Sequence, residues 1–582
     1  MSDLIAPTVL LLAVILPLLL ASGLAFGATR ATALRLAPWA ALPVLIQVLF
    51  APPGAALHLP WLLLGSELGL VDDTAWIFML FTALLWCLAG VYARSYLADS
   101  PGRDRFFVYF LLSMTGNFGL ILAQDMASFY LFFALMSFAS YGLVVHERSI
   151  EALRAGRIYM VLVVIGEVAL FAAMVLATTA TGSLDFNAVR SGLAQAESRD
   201  LIMFLAFTGF GIKAGVLGLH VWLPLAHPVA PTPASAVLSG AMIKAGLLGW
   251  LRLLPLGEVA LLQWGEALMT LGLVAAFYGV AVGITQRQPK TLLAYSSISQ
   301  MGIMTMAVGL GLLAPHAWPF ILPTVAFYAL HHALSKGALF MGVGLNGGRH
   351  SLQRLWVWLG LWLPALALVG APWTSGMYAK LLLKNQTLYA PTPWDSLLPI
   401  LLSSSAFATA LLMARLLYLV RPVAQPSGSP PVAGLVWPWL AALVAVALVP
   451  LSLLPSPSDY AGRQIMASLW PVLLAIIVSV VVRRTGVFRM LQPIPAGDVL
   501  VLMERGVQGL GAVLSSSGSG LRSMLRAMQR ELQSLWRASW LKAMKQCVLS
   551  WQKSGSFAMG WSARITILVF LGLAMAWLAG LN

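Results

Sequence analysis

The sequence predicts an all-α polytopic membrane protein of about sixteen spans, and three observations carry that prediction. Hydrophobic residues make up 60% of the 582-residue chain and charged residues 9%, against roughly 25% charged in a soluble domain. Apolar runs long enough to cross a bilayer follow one another along the chain, separated by short charged or Pro/Gly-rich links. The basic residues are sorted between alternate links instead of being gathered into one patch. A soluble catalytic domain has no room in such a chain. The 21 Trp and 24 Met exclude a disordered chain, and the scattered arrangement behind the net charge of +15 argues against a nucleic-acid partner.

The spans are expected near 4–26, 36–54, 75–97, 106–124, 127–146, 158–181, 201–224, 234–255, 263–285, 291–313, 318–344, 355–384, 396–420, 434–455, 467–482 and 565–581. Asp3 and no basic residue precede the first run, so it reads as a span and not as a signal peptide. With the N-terminus outside, the inner loops hold Arg30, Arg35, Arg94, Arg103, Arg105, Arg148, Arg154, Arg157, Arg287, Lys290, Arg349, Arg354, Arg415, Arg421, Arg483, Arg484 and Arg489. The outer loops hold Arg190, Arg199, Arg252, Lys384 and Arg463, with the acids Glu67, Asp72, Asp73, Asp185 and Glu197. This bias predicts a cytoplasmic-membrane protein with both termini outside.

Before the last span lies a segment of different character, 497–553. Leu521, Met524, Leu525, Met528, Leu532, Leu535, Trp536, Trp540, Met544, Val548 and Trp551 recur at helical spacing against Arg522, Arg526, Arg530, Arg537, Lys542 and Lys545. That pattern predicts an amphipathic helix lying along the membrane, anchored to lipid or strapped over neighbouring subunits through 521–551. The stretch Ser515 to Gly520 would hinge it.

Lysine usage points to the chemistry. Arginine occurs 26 times and lysine nine times, yet Lys213, Lys244, Lys336 and Lys380 each stand inside an apolar run, where a central charge costs at least ~2.5–3.5 kcal/mol on insertion scales. Lysine suits proton handling because burial can bring its pKa towards neutrality, whereas arginine keeps its charge. A row of buried lysines is thus a candidate proton relay, while Lys290 and Lys384, near span ends, read as lysines that reach an interface. His220 and His227 follow Lys213 at seven-residue steps and flank Pro224, so the seventh span is expected to break near its end; His331 and His332 precede Lys336 on the eleventh. Among the twenty acids only Glu167 is deep in a span, where it must pair or stay protonated. No metal-ligand pattern, phosphate-binding loop or nucleophile motif is visible, and Cys87 and Cys547 lack any ligand spacing. No cofactor and no redox chemistry of its own are expected; such chemistry would sit on another subunit.

The stretch FGIKAGVLGLHVWLPLAHPVAPTPASAVLSGAMIKAG (210–246), with LLAYSSISQMG (292–302), HHALSKGALFMG (331–342) and APWTSGMYAK (371–380), resembles the antiporter-like membrane subunits of respiratory complex I, Mrp antiporters and membrane-bound hydrogenases. The wording of 181–190 and of HPVAPTPASAVLSG is most like the large membrane subunit of hydrogenase-4 and formate hydrogenlyase complexes. The resemblance implies spans 1–3 over 1–105, two inverted five-helix repeats over 106–255 and 263–420, each with a broken helix, then spans 14–15 over 434–482, the lateral helix and the last span. It implies that Lys213, Lys244, His332, Lys336 and Lys380 form the relay, supported by His220, His227, His331 and Pro224. The family's glutamate in the fifth span is missing: Ala134 stands there, and Glu167 on the next span is the candidate replacement. The implied activity is proton translocation, or proton/sodium exchange, coupled to a redox partner. Alternatives are an Mrp-type antiporter subunit, a scaffold that no longer pumps, or a self-contained solute carrier.

Overall fold

In the computed structural model the described residues are 2–50, 53–60, 65–345, 351–422, 433–453, 462–485 and 493–501. Contacts divide the chain into two units: Met1–His58 with Ser66–Gly497, which holds every candidate site residue, and Leu59–Gly65 with Asp498–Asn582. Residues 502–582 lie outside the described set, and with them most of the expected lateral helix and the expected span 565–581.

The first unit opens with helices α1 (Ser2–Ala25), α2 (Gly27–Leu36) and α3 (Leu42–Phe50). The second expected span, 36–54, is therefore corrected: it begins earlier, at Gly27, and ends at Phe50. The segment after it was not expected to be regular, yet Ala55–Leu59 and Ser66–Leu70 pair as a two-stranded sheet. The alternation of exposed Glu67 between buried Ser66 and Leu68 is the local signal for it. Helices α4 (Asp73–Tyr96), α5 (Arg103–Leu122), α6 (Met126–Val144) and α7 (Ile150–Thr181) follow. Asp72, Asp125 and Ser149 cap α4, α6 and α7 by accepting from the N–H of Ala75, Ser128 and Ala152. With 32 residues α7 is about 48 Å long and outruns a bilayer core of roughly 30 Å.

A short surface helix, α8 (Phe186–Leu193), leads to α9 (Arg199–Ala214) and α10 (Trp222–Val229). Next come α11 (Thr232–Val237), a π turn at Leu238–Met242 and α12 (Ile243–Leu253), together one span; then α13 (Leu262–Gly283), α14 (Pro289–Leu313), α15 (Trp318–Leu345), α16 (Ser351–Val369), α17 (Ser375–Gln386), α18 (Trp394–Leu419), α19 (Ala433–Ser452) and α20 (Gly462–Thr485). Ten helical segments among the described residues are long and apolar enough to cross a membrane. The sixteen-span count stays an expectation.

Among the described residues two spans are broken. The first break lies at residues 215–221, where Gly215 takes φ +76° and ends α9. Pro224 does not cause it, as the sequence had implied; Pro224 is buried in the first turn of α10, where proline is well tolerated. The second lies at Gly370 (φ +85°) to Thr374, between α16 and α17. The core between these breaks is α12, α14 and α15: the span Thr232–Leu253 and helix α14 are buried on all sides. Ion pairs sort to the ends of the bundle, with Asp72–Arg252 (2.5 Å) and Arg190–Glu258 (3.6 Å) at one end and Arg30–Asp104 (3.7 Å) at the other.

Candidate functional site

Three of the four candidate lysines, Lys213, Lys244 and Lys380, sit beside an interruption of regular helix, where backbone carbonyls lack an intrahelical partner; Lys336 lies inside the continuous helix α15. Lys213 occupies the last turn of α9, 2% exposed. Its ammonium donates to the Tyr159 hydroxyl at 3.0 Å, and that hydroxyl donates to the Ser137 carbonyl at 2.8 Å. Lys244 is on α12 immediately after the π turn and donates to the Ser239 carbonyl at 2.6 Å. A π turn shifts the bonding register, so it frees carbonyls that a cation can satisfy, which is one reason such turns gather at functional sites. Lys336, on α15, donates to the Leu293 carbonyl of α14 at 2.8 Å. Lys380, on α17, reaches back across the second break to the Val369 carbonyl at 2.6 Å. Lys244 and Lys336 are wholly buried; Lys380 is half-buried.

The histidines lie between them. His332 is wholly buried and neither ring nitrogen has a hydrogen-bond partner among the described residues; the charges of Lys244, Lys336 and His331 all reach it. His331 meets the Ser375 hydroxyl at 2.8 Å in the first turn of α17 and lies within the fields of Lys380 and Lys244. It thereby joins the centre to the second broken helix. His227, on α10, stacks on Phe340 with 4.7 Å between centroids, and its two nitrogens also lack a partner among the described residues. His220 accepts from the Gly218 N–H at 3.2 Å and packs against Tyr278, inside the first break. The hydroxyls of Ser296 and Ser335 are buried without a partner among these residues as well. Buried polar atoms are rarely left unsatisfied, so this cluster has the chemistry of a water-lined path.

Glu167 is 5% exposed and turned inward. It makes no ion pair with Lys213 within 4 Å, although the two charges are close enough to interact. On the facing helix α6, the Tyr130 hydroxyl donates to the Glu167 carbonyl at 3.4 Å and Ser137 lies beside its carboxylate. Tyr130, Ala134 and Ser137 are successive turns of one face of α6, so half-buried Ala134 stands on the face that meets Glu167.

Sequence reading missed several members. Tyr159 and Ser137 were hidden because a tyrosine or serine in an apolar run reads as packing. The π turn was hidden because only Gly240 and neighbouring small residues hint at it. No group of three or more potential metal ligands occurs among the described residues.

A polytopic helical bundle with two broken spans and a buried row of lysines and histidines is the class of protein this geometry defines. Residues 123–408 match the model of the family described as NADH:quinone oxidoreductase/Mrp antiporter, TM. Hydrogenase-4 component B of Escherichia coli K12 is 33% identical over 306 residues, covering 49% of this chain and 44% of that protein. A Na(+)/H(+) antiporter subunit A1 of Staphylococcus saprophyticus is 30% identical over 270 residues, covering 44% of this chain and 33% of that one. The chain thus spans less than half the length of these relatives. The fold is shared with the Mrp complex of Dietzia sp. DQ12-45-1b, with a TM-score of 0.71 over 98% of this chain and 66% of that one at 20% identity. It is shared too with an archaeal respiratory complex, the membrane-bound sulfane sulfur reductase, with a TM-score of 0.65 over 80% of this chain and 97% of that one at 19% identity.

Proposed function

We propose that this chain is the proton-translocating membrane subunit of a redox-coupled complex in a bacterial or archaeal cytoplasmic membrane, built as two inverted repeats over 106–255 and 263–420. The observation that carries the reading is the set of buried ionisable groups Lys213, Lys244, Lys336, His332, His331 and Lys380 in one bundle. Lys244, Lys336, His332, His331 and Lys380 lie within one another's electrostatic reach, α9 with Lys213 packs on α12 with Lys244, and the interleaved histidines and serines offer unpartnered atoms to water. A Grotthuss-type path needs groups that both take up and release a proton, which lysine and histidine do and arginine does not.

In this reading Glu167 supplies the negative charge opposite Lys213, in place of a carboxylate at Ala134. When a partner subunit loosens that pair, the proton on Lys213 becomes free to move through buried water to Lys244 and the Lys336–His332 centre, and on to Lys380. Electron transfer and its cofactors belong to other subunits. The test is proton flux in vesicles carrying the whole complex, with and without its electron donor. Lys213→Ala and Lys380→Ala are expected to abolish coupled flux with the complex still assembled, and Lys213→Arg to fail as well; full flux in either Ala variant overturns the relay. A second reading, exchange of sodium for protons, is favoured by the antiporter relatives. It requires flux that rises with sodium at constant pH.

A further inference from the structure

Lys290, in the link that the charge bias assigns to the arginine-rich side, is not simply reaching for the interface. Lys290, in the first turn of α14, is half-buried and donates to the Ala230 carbonyl at 2.7 Å. Ala230 closes α10, the helix that carries His227 one turn earlier. His227 is wholly buried, has no hydrogen-bond partner at either nitrogen among the described residues, and lies within the fields of Lys290, Lys336 and Lys244 together. Lys290 is also within electrostatic range of Glu147, an exposed residue in the loop between α6 and α7. One turn further along α14 from Lys290 is Leu293, whose carbonyl holds Lys336. Exposed carboxylate, half-buried ammonium, unpartnered imidazole and fully buried ammonium thus follow one another from the surface inwards.

We infer that Glu147, Lys290 and His227 form the path by which protons pass between the arginine-rich face and the central Lys336–Lys244 pair. This rests on the relay proposed above and adds its connection to solvent. A proton taken from water near Glu147 replaces one that Lys290 passes to a His227 nitrogen, and His227 releases its own to the centre, so no charge accumulates along the path. The Ala230 carbonyl keeps the ammonium aimed inward between transfers. A lysine acting only as a fixed positive charge at the end of α10 is the competing explanation, and arginine would serve that purpose equally well.

The experiment measures proton uptake in vesicles carrying the whole complex, driven by a potassium/valinomycin diffusion potential and read with a pH-sensitive dye. Lys213→Ala defines the background. Lys290→Arg and Lys290→Gln are both expected to slow uptake about tenfold or more, and Glu147→Gln by less. Lys290→Cys is expected to be slow, and to recover when treatment with 2-bromoethylamine rebuilds an ammonium at that place, which also shows that the variant is folded. Lys290→Arg at the wild-type rate while Lys213→Ala is at background overturns the path and leaves the relay intact. Failure of the aminoethylated cysteine to recover counts against the path as well. Lys213→Ala at the wild-type rate overturns both proposals.

Discussion

At the scale of single residues, the first half of the site turns on what stands opposite Lys213. Its hydrogen-bond partner is a tyrosine, not a carboxylate, and the nearby acid comes from α7. Replacing Tyr159 by Phe leaves the lysine without its neutral partner, at a cost of about 1–3 kcal/mol for an unsatisfied buried group. Proton flux is expected to fall roughly tenfold while assembly is preserved, as read by flux against the amount of complex purified. Glu167→Gln keeps shape and removes charge, so it is expected to impair flux more strongly than Tyr159→Phe. Adding Ala134→Glu to that variant should restore part of it, because position 134 lies on the α6 face that meets Glu167. Undiminished flux in Glu167→Gln would mean that the first half-site works without a carboxylate. Outside the spans, burial and then the Arg105 guanidinium hold the His146 imidazole down at about 4, against an ordinary value of 6.5. The neutral ring therefore contributes stability present above pH 6.5 and lost as pH falls towards 4. The thermal midpoint of the detergent-solubilised protein should decline over that window, and less steeply in His146→Gln.

At the scale of elements, function depends on where helices stop. Gly215 takes a left-handed φ, and a Cβ there would run into Leu223, so Gly215→Ala is strained twice over: in its backbone and against the start of α10. The expected result is a loss of about 1–3 kcal/mol and of coupled flux together, because a shifted break moves the Lys213 ammonium away from Tyr159. Denaturation midpoints and flux in the same preparation check this; unchanged values for both would show that the break has slack. Span positions were readable from apolar runs, but the location of the first break was not. Pro224 is the conspicuous helix breaker, and the glycine two residues after Lys213 decides the matter because its φ is set by the packing of Leu223 and Trp222, whose indole donates to the Ile212 carbonyl at 2.7 Å. The π turn before Lys244 was hidden for the same reason. It is stabilised from outside its own helix, by a contact of 2.8 Å between the Ser239 and Ser297 hydroxyls.

At the scale of the whole molecule, the chain presents large apolar surfaces, with Trp356, Trp373, Trp437 and Leu448 among its exposed residues. Lipid and neighbouring subunits are the surroundings that such faces require. The segment 521–551, with Trp536, Trp540 and Trp551 on one face in the sequence, is expected to strap those neighbours. Truncation before Ser515 should therefore loosen the complex, seen as loss of partner subunits on native gels, while the isolated chain keeps its helical content. Full assembly of the truncated protein would return the segment to a simple membrane anchor.

The sequence by itself determined the membrane class and the identity of the buried lysines, because a charge inside an apolar run is conspicuous wherever it occurs. Through the family resemblance it also pointed to Ala134 as the place where a glutamate is expected. Only the tertiary structure decided which partners those charges find. Tyr159, the Leu293 and Val369 carbonyls, and the approach of Lys290 to the end of α10 lie on other helices or across a break, the Ser239 carbonyl is turned to Lys244 by the π turn of its own span, and no periodicity along one stretch of sequence encodes them. Lys290 shows the difference most directly: by position it is a lysine near a span end, and by contact it is the donor to the carbonyl that closes the helix carrying a buried histidine. The physical reason is that apolar patterning is set by lipid, which every span meets in the same way, whereas polar pairing is set by the particular helices that pack together.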